Sequence, residues 1–397
     1  MKSGRDLRAV RVAVVLAMAG LAGGLAGAAE EGFVPLFDGR SLEGWFKAGG
    51  GATYRIEGDC IVGEVGPGAN TFLCTAKTYG DFILKLDVKL DVPGNSGIQF
   101  RSHRREADDR VFGYQCEIDP SDRAWSGGIY DEARRGWLDS LEDNEPARKA
   151  FKVADWNEYV IQAVGPHLQT WLNGVPCADM IDSMDLEGLI ALQVHSGREG
   201  RIRWRNIRIK ELGRHVWQPL WDGTSLAGWH ALPGGKWEVA GGAIVGTSQA
   251  SDPNHGLLVT DKRFGDFTVR VRYKAVKGNS GLYFRADKSG DAVGVHGFQA
   301  EIDPEHDAGG LYETAGRAWV VQPAAEDVKK WYKPGEWNEM TVSAYGRRVV
   351  VHVNGHKTAE LKDDPGRIEG HIALQLHGGM DMHVEFKDIA LLVPAAS

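Results

Sequence analysis

Apolar and polar residues alternate with period two in segment after segment of this chain, the pattern of half-buried β-strands. Phe82 to Val88, Gly97 to Ser102, Gln115 to Asp119, Tyr159 to Val164, Leu168 to Leu172, Leu189 to Val194 and Ile202 to Ile209 all read this way. A second set follows at Phe267 to Tyr273, Met340 to Ala344 and Arg348 to Val353. Turn residues punctuate the strands at Asp38-Gly39, Pro93-Gly94-Asn95, Asn173-Gly174 and Asn354-Gly355, and the Asn-Gly pairs mark hairpins. No long stripe of helical period is present; residues 138–150 and 323–331 have room for one short helix each.

The chain also repeats itself. Gly94-Asn95-Ser96-Gly97 returns as Gly278-Asn279-Ser280-Gly281, and Gly113 to Pro120 returns as Gly297 to Pro304. Trp156-Asn157-Glu158 recurs as Trp337-Asn338-Glu339, and Ala191 to His195 as Ala373 to His377. Units of about 180 residues are complete domains with a core each, not solenoid repeats. The reading is all-β: two tandem jelly-roll β-sandwiches over 33–212 and 215–393, joined near Leu212-Gly213-Arg214.

Period-two geometry sorts the polar side chains by face. Gln99 and Arg101 lie opposite Ile98 and Phe100; Gln115, Glu117 and Asp119 lie opposite Tyr114, Cys116 and Ile118; Gln193 and His195 lie opposite Leu192 and Val194. With the apolar faces turned to the core, Arg101, Glu117, Asp119 and His195 are expected to share a cleft. Arg285, Glu301, Asp303 and His377 repeat the set in copy two, whereas Gln99 has become Tyr283. The plainer reading is a wet strand face, with Arg101 and Glu117 as a cross-strand ion pair worth about a few tenths of a kcal/mol. Recurrence in both copies favours a site.

The Gly-rich segment from Gly127 to Trp137 adds Tyr130, Arg135 and Trp137 beside Gln115; copy two offers Gln299, Tyr312, Arg317 and Trp319. Aromatic faces pack on sugar C–H surfaces, and Arg and carboxylates chelate vicinal hydroxyls. These residues are therefore candidate substrate contacts, the alternative being a structured loop whose Trp plugs the sandwich end.

Composition narrows the setting. Lys2, Arg5, Arg8 and Arg11, the apolar run Val12 to Leu25 and Ala26-Gly27-Ala28 read as a secretory signal peptide over 1–28, implying a periplasmic or secreted protein. Its removal takes four Lys/Arg and one Asp, so the formal charge goes from −8 to −11. An acidic chain without a further apolar span is a poor partner for nucleic acid or an anionic membrane surface. The cysteines (Cys60, Cys74, Cys116, Cys177) all lie in copy one and lack metal-finger spacing. Cys60 and Cys74 sit on successive predicted strands, placed either to pair in an oxidising compartment or to remain small buried thiols.

At these residues the chain resembles the 3-keto-disaccharide hydrolase domain family, formerly a domain of unknown function. The matching pieces are Leu36-Phe37-Asp38-Gly39 with Gly44-Trp45, Asn95-Ser96-Gly97 through Arg101, Gln115 to Pro120, Gly127 to Tyr130, Trp156-Asn157-Glu158, Asn173-Gly174, Ala191 to His195 and Trp204-Arg205-Asn206-Ile207. They recur in copy two, ending with Phe386-Lys387-Asp388-Ile389. The resemblance implies a concanavalin- or laminin-G-like jelly roll and cleavage of small 3-keto-glycosides outside the cytoplasm, in some relatives by elimination. One departure is Arg134, which is Gly316 in copy two.

The implied chemistry uses these residue types. A ketone at C3 acidifies the C2 proton and leaves the C1 aglycone β to the resulting carbanion. Glu117 or His195 is a candidate base, and Arg101 a candidate partner for the enolate oxygen. Glu117 and Asp119, about 6.5 Å apart along a strand, are placed to bracket substrate, to raise one another's pKa, or to share a divalent cation such as Ca with His195. Two other classes compete. One is a tandem carbohydrate-binding module without catalysis, gaining avidity from two copies. The other is a laminarinase-type retaining glycosidase, whose second Glu is replaced here by Asp122 and His306.

Overall fold

A computed structural model describes residues 30–396, so the expected signal peptide lies outside the described residues. The described chain is all-β, with 3% in helix, and forms two β-sandwiches. In copy one, the front sheet runs Gly136–Asp139, Ile129–Glu132, Arg110–Ile118, Ser96–Arg105, Leu189–Val194, Thr71–Thr75, Trp45–Gly49. The back sheet runs Val175–Ile181, His167–Leu172, Asn157–Val164, Asp81–Val92, Arg201–Gly213, Cys60–Glu64, Thr53–Glu57, with Val34–Pro35 added beside Arg201–Gly213. Copy two repeats this plan, its front sheet centred on Ser280–Lys288 between Val295–Ile302 and His371–Leu376. Every named strand pair is antiparallel, as expected for a sandwich that needs one solvated face per sheet.

The alternation in the sequence becomes packing. Leu84, Leu86 and Val88 from the back sheet meet Ile98, Phe100, Tyr114, Cys116 and Ile118 from the front in one buried cluster. Each such side chain contributes about 1.5–3 kcal/mol on burial. The two short helices fall where room was left for them, at Glu145–Arg148 and Ala325–Trp331. Asn144 caps the first by accepting from the Ala147 N–H. All four cysteines are free and buried; Cys60 lies in the back sheet and Cys74 in the front, so the two do not pair.

One expected feature is corrected. Arg101 does not point with Gln99 out of the front sheet. Register slips between Gln99 and His103, and Arg101 adopts φ 45°, a β-bulge that turns its side chain inward. The fully buried guanidinium donates to the carbonyls of Gly80 (2.8 Å) and Gly165 (2.6 Å) and pairs with Asp81 at 2.9 Å. Arg285 repeats the bulge at φ 47° and donates to the carbonyls of Gly265 and Gly346. Both arginines are scaffold groups.

The copies touch through polar contacts. His215, just past the link, places Nδ1 2.6 Å from Asp81. Arg135 donates to the carbonyl of Gly355 at 2.9 Å, and Arg348 donates to the carbonyl of Asp179 at 2.8 Å. Among the described residues, no helix is long and apolar enough to cross a membrane.

Removing one member of a buried ion pair strands the other. Arg101→Ala is expected to destabilise copy one by about 3–5 kcal/mol, measured by urea denaturation; a cost below about 1 kcal/mol would contradict this scaffold role.

Candidate functional site

Glu117 is the penultimate residue of the strand Arg110–Ile118 and is only 4% exposed. A carboxylate there requires donors, and the Asn-Ser-Gly motif supplies the means. Asn95 donates its Nδ2 to one Glu117 oxygen, and Gln115 donates its Nε2 to the other, each at 2.7 Å. Gly97 lies directly across from Glu117, and a Cβ there would stand 2.3 Å from the Gln115 side chain. The glycine thus lets Gln115 lie flat and reach the carboxylate. Between them, Ser96 donates to the carbonyl of Gln193 at 2.6 Å and ties in the neighbouring strand.

The carboxylate lines a cleft of about 390 Å³ together with Asn70, Asn95, Gln115, Arg123, Tyr130, Glu132, Trp137 and His195. Through Asn70, Glu132 and His195 the cleft adjoins a hollow of about 580 Å³ that also reaches Asp108 and Arg110. One wall is aromatic: Trp137 meets Trp125 edge-on at 4.7 Å and Tyr130 at 5.2 Å. The Arg123 guanidinium lies over Trp125 and Trp137, 4.9 and 4.8 Å from their ring centres, and 3.6 Å from Glu117.

Burial dominates the electrostatics. It raises the Glu117 pKa above the ordinary Glu value, and the Asp119 charge adds to this, while the Asn95 and Gln115 hydrogen bonds and the Arg123 charge act against it. Glu132 is raised for the same reason, opposed by the charges of Arg110 and His195. Tyr130 is raised by burial first and then by Glu132 and Glu117, so its phenol lies within the field of both carboxyls.

The structure therefore gathers Glu117, Gln115, Tyr130, Trp137 and His195 of the expected set into one cleft. Arg101 is absent from it. Asp119 is turned away: its oxygens accept from the Ser121 N–H, the Ser121 hydroxyl and Arg123 Nε, the last at 2.8 Å. Its geometry suits holding Arg123 rather than bracketing a substrate. Arg135 is also turned away, paired with Asp131 and Asp182. Asn70, Arg123 and Glu132 were not singled out from the sequence. Among the described residues no three His, Cys, Asp or Glu side chains converge as a cation cage, and Arg123 already occupies Asp119, so the set does not fit a shared divalent ion.

Copy two keeps the floor and changes the walls. Asn279 and Gln299 donate to Glu301 at 2.7 and 2.6 Å, over Gly281. Tyr312 pairs across strands with Gln299 and meets Trp319 edge-on at 5.4 Å. The His377 ring lies tilted against His255, with centroids 4.3 Å apart. Asp303 caps its turn by accepting from the Glu305 N–H. Arg317 departs from the expected role, being held by Glu313 and Asp364. Burial, with Asp303 and Asp307 nearby, pushes the Glu301 pKa up to about 8.

Fold and cleft together define a tandem jelly-roll protein with an amide-held carboxylate beside an aromatic wall. The chain belongs to the 3-keto-alpha-glucoside-1,2-lyase-like domain family, whose model matches residues 32–210 and 216–392. Comparison with curated protein sequences gives no match. Among solved structures, an inferred glycosyl hydrolase of Parabacteroides distasonis is similar at 19% identity, covering 46% of this chain and 94% of its own, with a TM-score of 0.36. The carbohydrate-binding module CBM66 of Bacillus subtilis is similar at 18% identity, covering 43% and 98%, with a TM-score of 0.34. A Bacillus subtilis protein of galectin-like fold follows at 15% identity, covering 45% and 100%, with a TM-score of 0.31.

A Glu whose folded pKa lies above its unfolded value binds protons more tightly when folded, so raising the pH through that interval costs stability. Copy two is therefore expected to melt at lower temperature as pH rises from about 5 to about 9, with Glu301→Gln reducing that slope. Differential scanning calorimetry across this range is the check. A slope unaltered by Glu301→Gln would contradict it.

Proposed function

We propose that this protein cleaves small 3-keto-glycosides in the periplasm or outside the cell by 1,2-elimination, in the cleft of copy one. Family membership supports the substrate class. The observation that carries the mechanism is the buried Glu117, fixed by two amides, with Arg123 at 3.6 Å.

Glu117 takes the C2 proton, which the C3 ketone has acidified. The electron pair left on C2 moves onto the C3 oxygen as an enolate, which faces the Arg123 guanidinium. Collapse of the enolate restores the ketone, forms the C1=C2 bond and breaks the bond from C1 to the aglycone oxygen. That oxygen takes a proton from Glu132, whose burial keeps its carboxyl protonated to higher pH than an ordinary Glu. Water added across C1=C2 gives the free 3-keto sugar, so elimination and net hydrolysis share this first step. A positioned base contributes about 10²–10⁴ in rate, and one oxyanion donor about 2.7–4 kcal/mol. Trp137 and Tyr130 supply the sugar platform, and Asp119 holds Arg123.

Aglycone release is expected from a 3-keto-glucoside and not from the parent glucoside, whose C2 proton is not acidic. Glu117→Gln is expected to lower kcat by about 10²–10⁴. The base must be ionised, and its pKa is raised, so activity falls on acidification with a limb above the ordinary value of 4.5. Equal cleavage of both glucosides, or a rate unaffected by Glu117→Gln, would overturn the assignment.

A further inference from the structure

We propose that copy two is a sugar-binding domain without turnover, taking uncharged glycosides through the Gln299, Tyr312 and Trp319 face. This inference rests on the reading of copy one and follows from comparing the two sites position by position.

What copy two keeps is the means of holding a sugar. The amide-held Glu301 and the cross-strand Gln299–Tyr312–Trp319 platform match their copy-one counterparts in register. What it loses is the guanidinium and the second carboxyl that the elimination uses. The turn from Asp303 to Gly309 is two residues shorter than that from Asp119 to Gly127, and it contains no Arg. Among the described residues Glu301 has no ion pair, and the charges bearing on it are those of Asp303 and Asp307. An enolate formed there would lack the guanidinium that copy one supplies.

The other walls change in the same sense. Glu132 pairs with Gly113, and the equivalent partner of Gly297 is Thr314, which has no carboxyl proton to give a leaving group. Asn70 is replaced by His255, and Gln99 by Tyr283, whose hydroxyl lies 2.9 Å from that of Thr314 and closes this part of the face. Burial favours the uncharged forms of two of the remaining groups: it pushes Glu301 up to about 8 and, with His377 beside it, His255 down to about 4. A neutral carboxylic acid, amides, phenols and an indole suit hydroxyl-rich, uncharged ligands. Covalent linkage to copy one makes capture there a local supply, with effective concentrations of about millimolar for a short tether.

The test uses the full chain carrying Glu117→Gln, with a 3-keto-glucoside and its parent glucoside as probes. Residual turnover is expected at or below about one hundredth of wild type, whereas a remaining half would mean that copy two turns over and would overturn the proposal. Calorimetry on the same chain is expected to show two sugars bound per chain, falling to one when Trp319→Ala and Gln299→Ala are added. Trp319→Phe, which keeps an aromatic platform and guards against misfolding, is expected to retain the second sugar. A stoichiometry indifferent to Trp319→Ala with Gln299→Ala would also overturn it. If wild type shows no turnover of the 3-keto-glucoside, the function assigned to copy one fails, and the calorimetric arm still decides whether copy two binds sugar.

Discussion

A carboxylate buried on a sheet face has to be supplied with hydrogen-bond donors, and much of the local architecture of this protein follows from that requirement. Desolvating such a group costs several kcal/mol, and Glu117 is nearly enclosed. Asn95 and Gln115 meet the requirement from two directions, but Gln115 reaches it only because residue 97 has no side chain. Ser96, between them, bonds the next strand instead. The amides offset burial only in part, so the group stays more basic than a solvated Glu while being held rigidly. Copy two preserves the same solution around Glu301, which identifies it as the element on which both front sheets are organised.

The fold was largely legible because period-two alternation survives in nearly every strand and the repeat marks two equal units. The floor of the site was legible for the same reason: Gln115 and Glu117 share a face of one regular strand. Arg101 was not, because a non-glycine bulge breaks the alternation without leaving a mark in the sequence. Arg135 and Arg317 were misread because their partners, Asp182 and Asp364, lie 47 residues away along the chain, beyond any local pattern.

Recurrence between the copies marks scaffold as well as site. The shared Trp-Asn-Glu and Asn-Gly motifs are scaffold: Asn157 is bonded to the backbone of Lys152 and Asp155, and Asn173 reaches Asn157 at 2.9 Å. Asn338 and Asn354 repeat this arrangement. Arg123 and Glu132, by contrast, were passed over because copy two lacks them. Comparing copies finds what both need, namely strands, turns and a held carboxylate. Groups required by only one copy show up as differences, and reading those differences needs the register that the structure supplies.

That asymmetry gives the loop after the central strand a particular weight. An ionised carboxylate and a nearby enolate are both anions, so one local charge stabilises or destabilises both together. In copy one, the Arg123 cation opposes the burial shift on Glu117, which keeps that carboxyl ionised over a wider pH range, and in the proposed elimination it would face the developing oxyanion as well. In copy two, Asp307 adds to the burial shift on Glu301, and the turn has no Arg to face such an oxyanion. A single shortened turn therefore alters the base and the oxyanion partner in one step, while the amides, the glycine and the aromatic platform beneath them stay in place. A duplicated sandwich can in this way keep its sugar-contacting floor in both halves and carry the reaction in one.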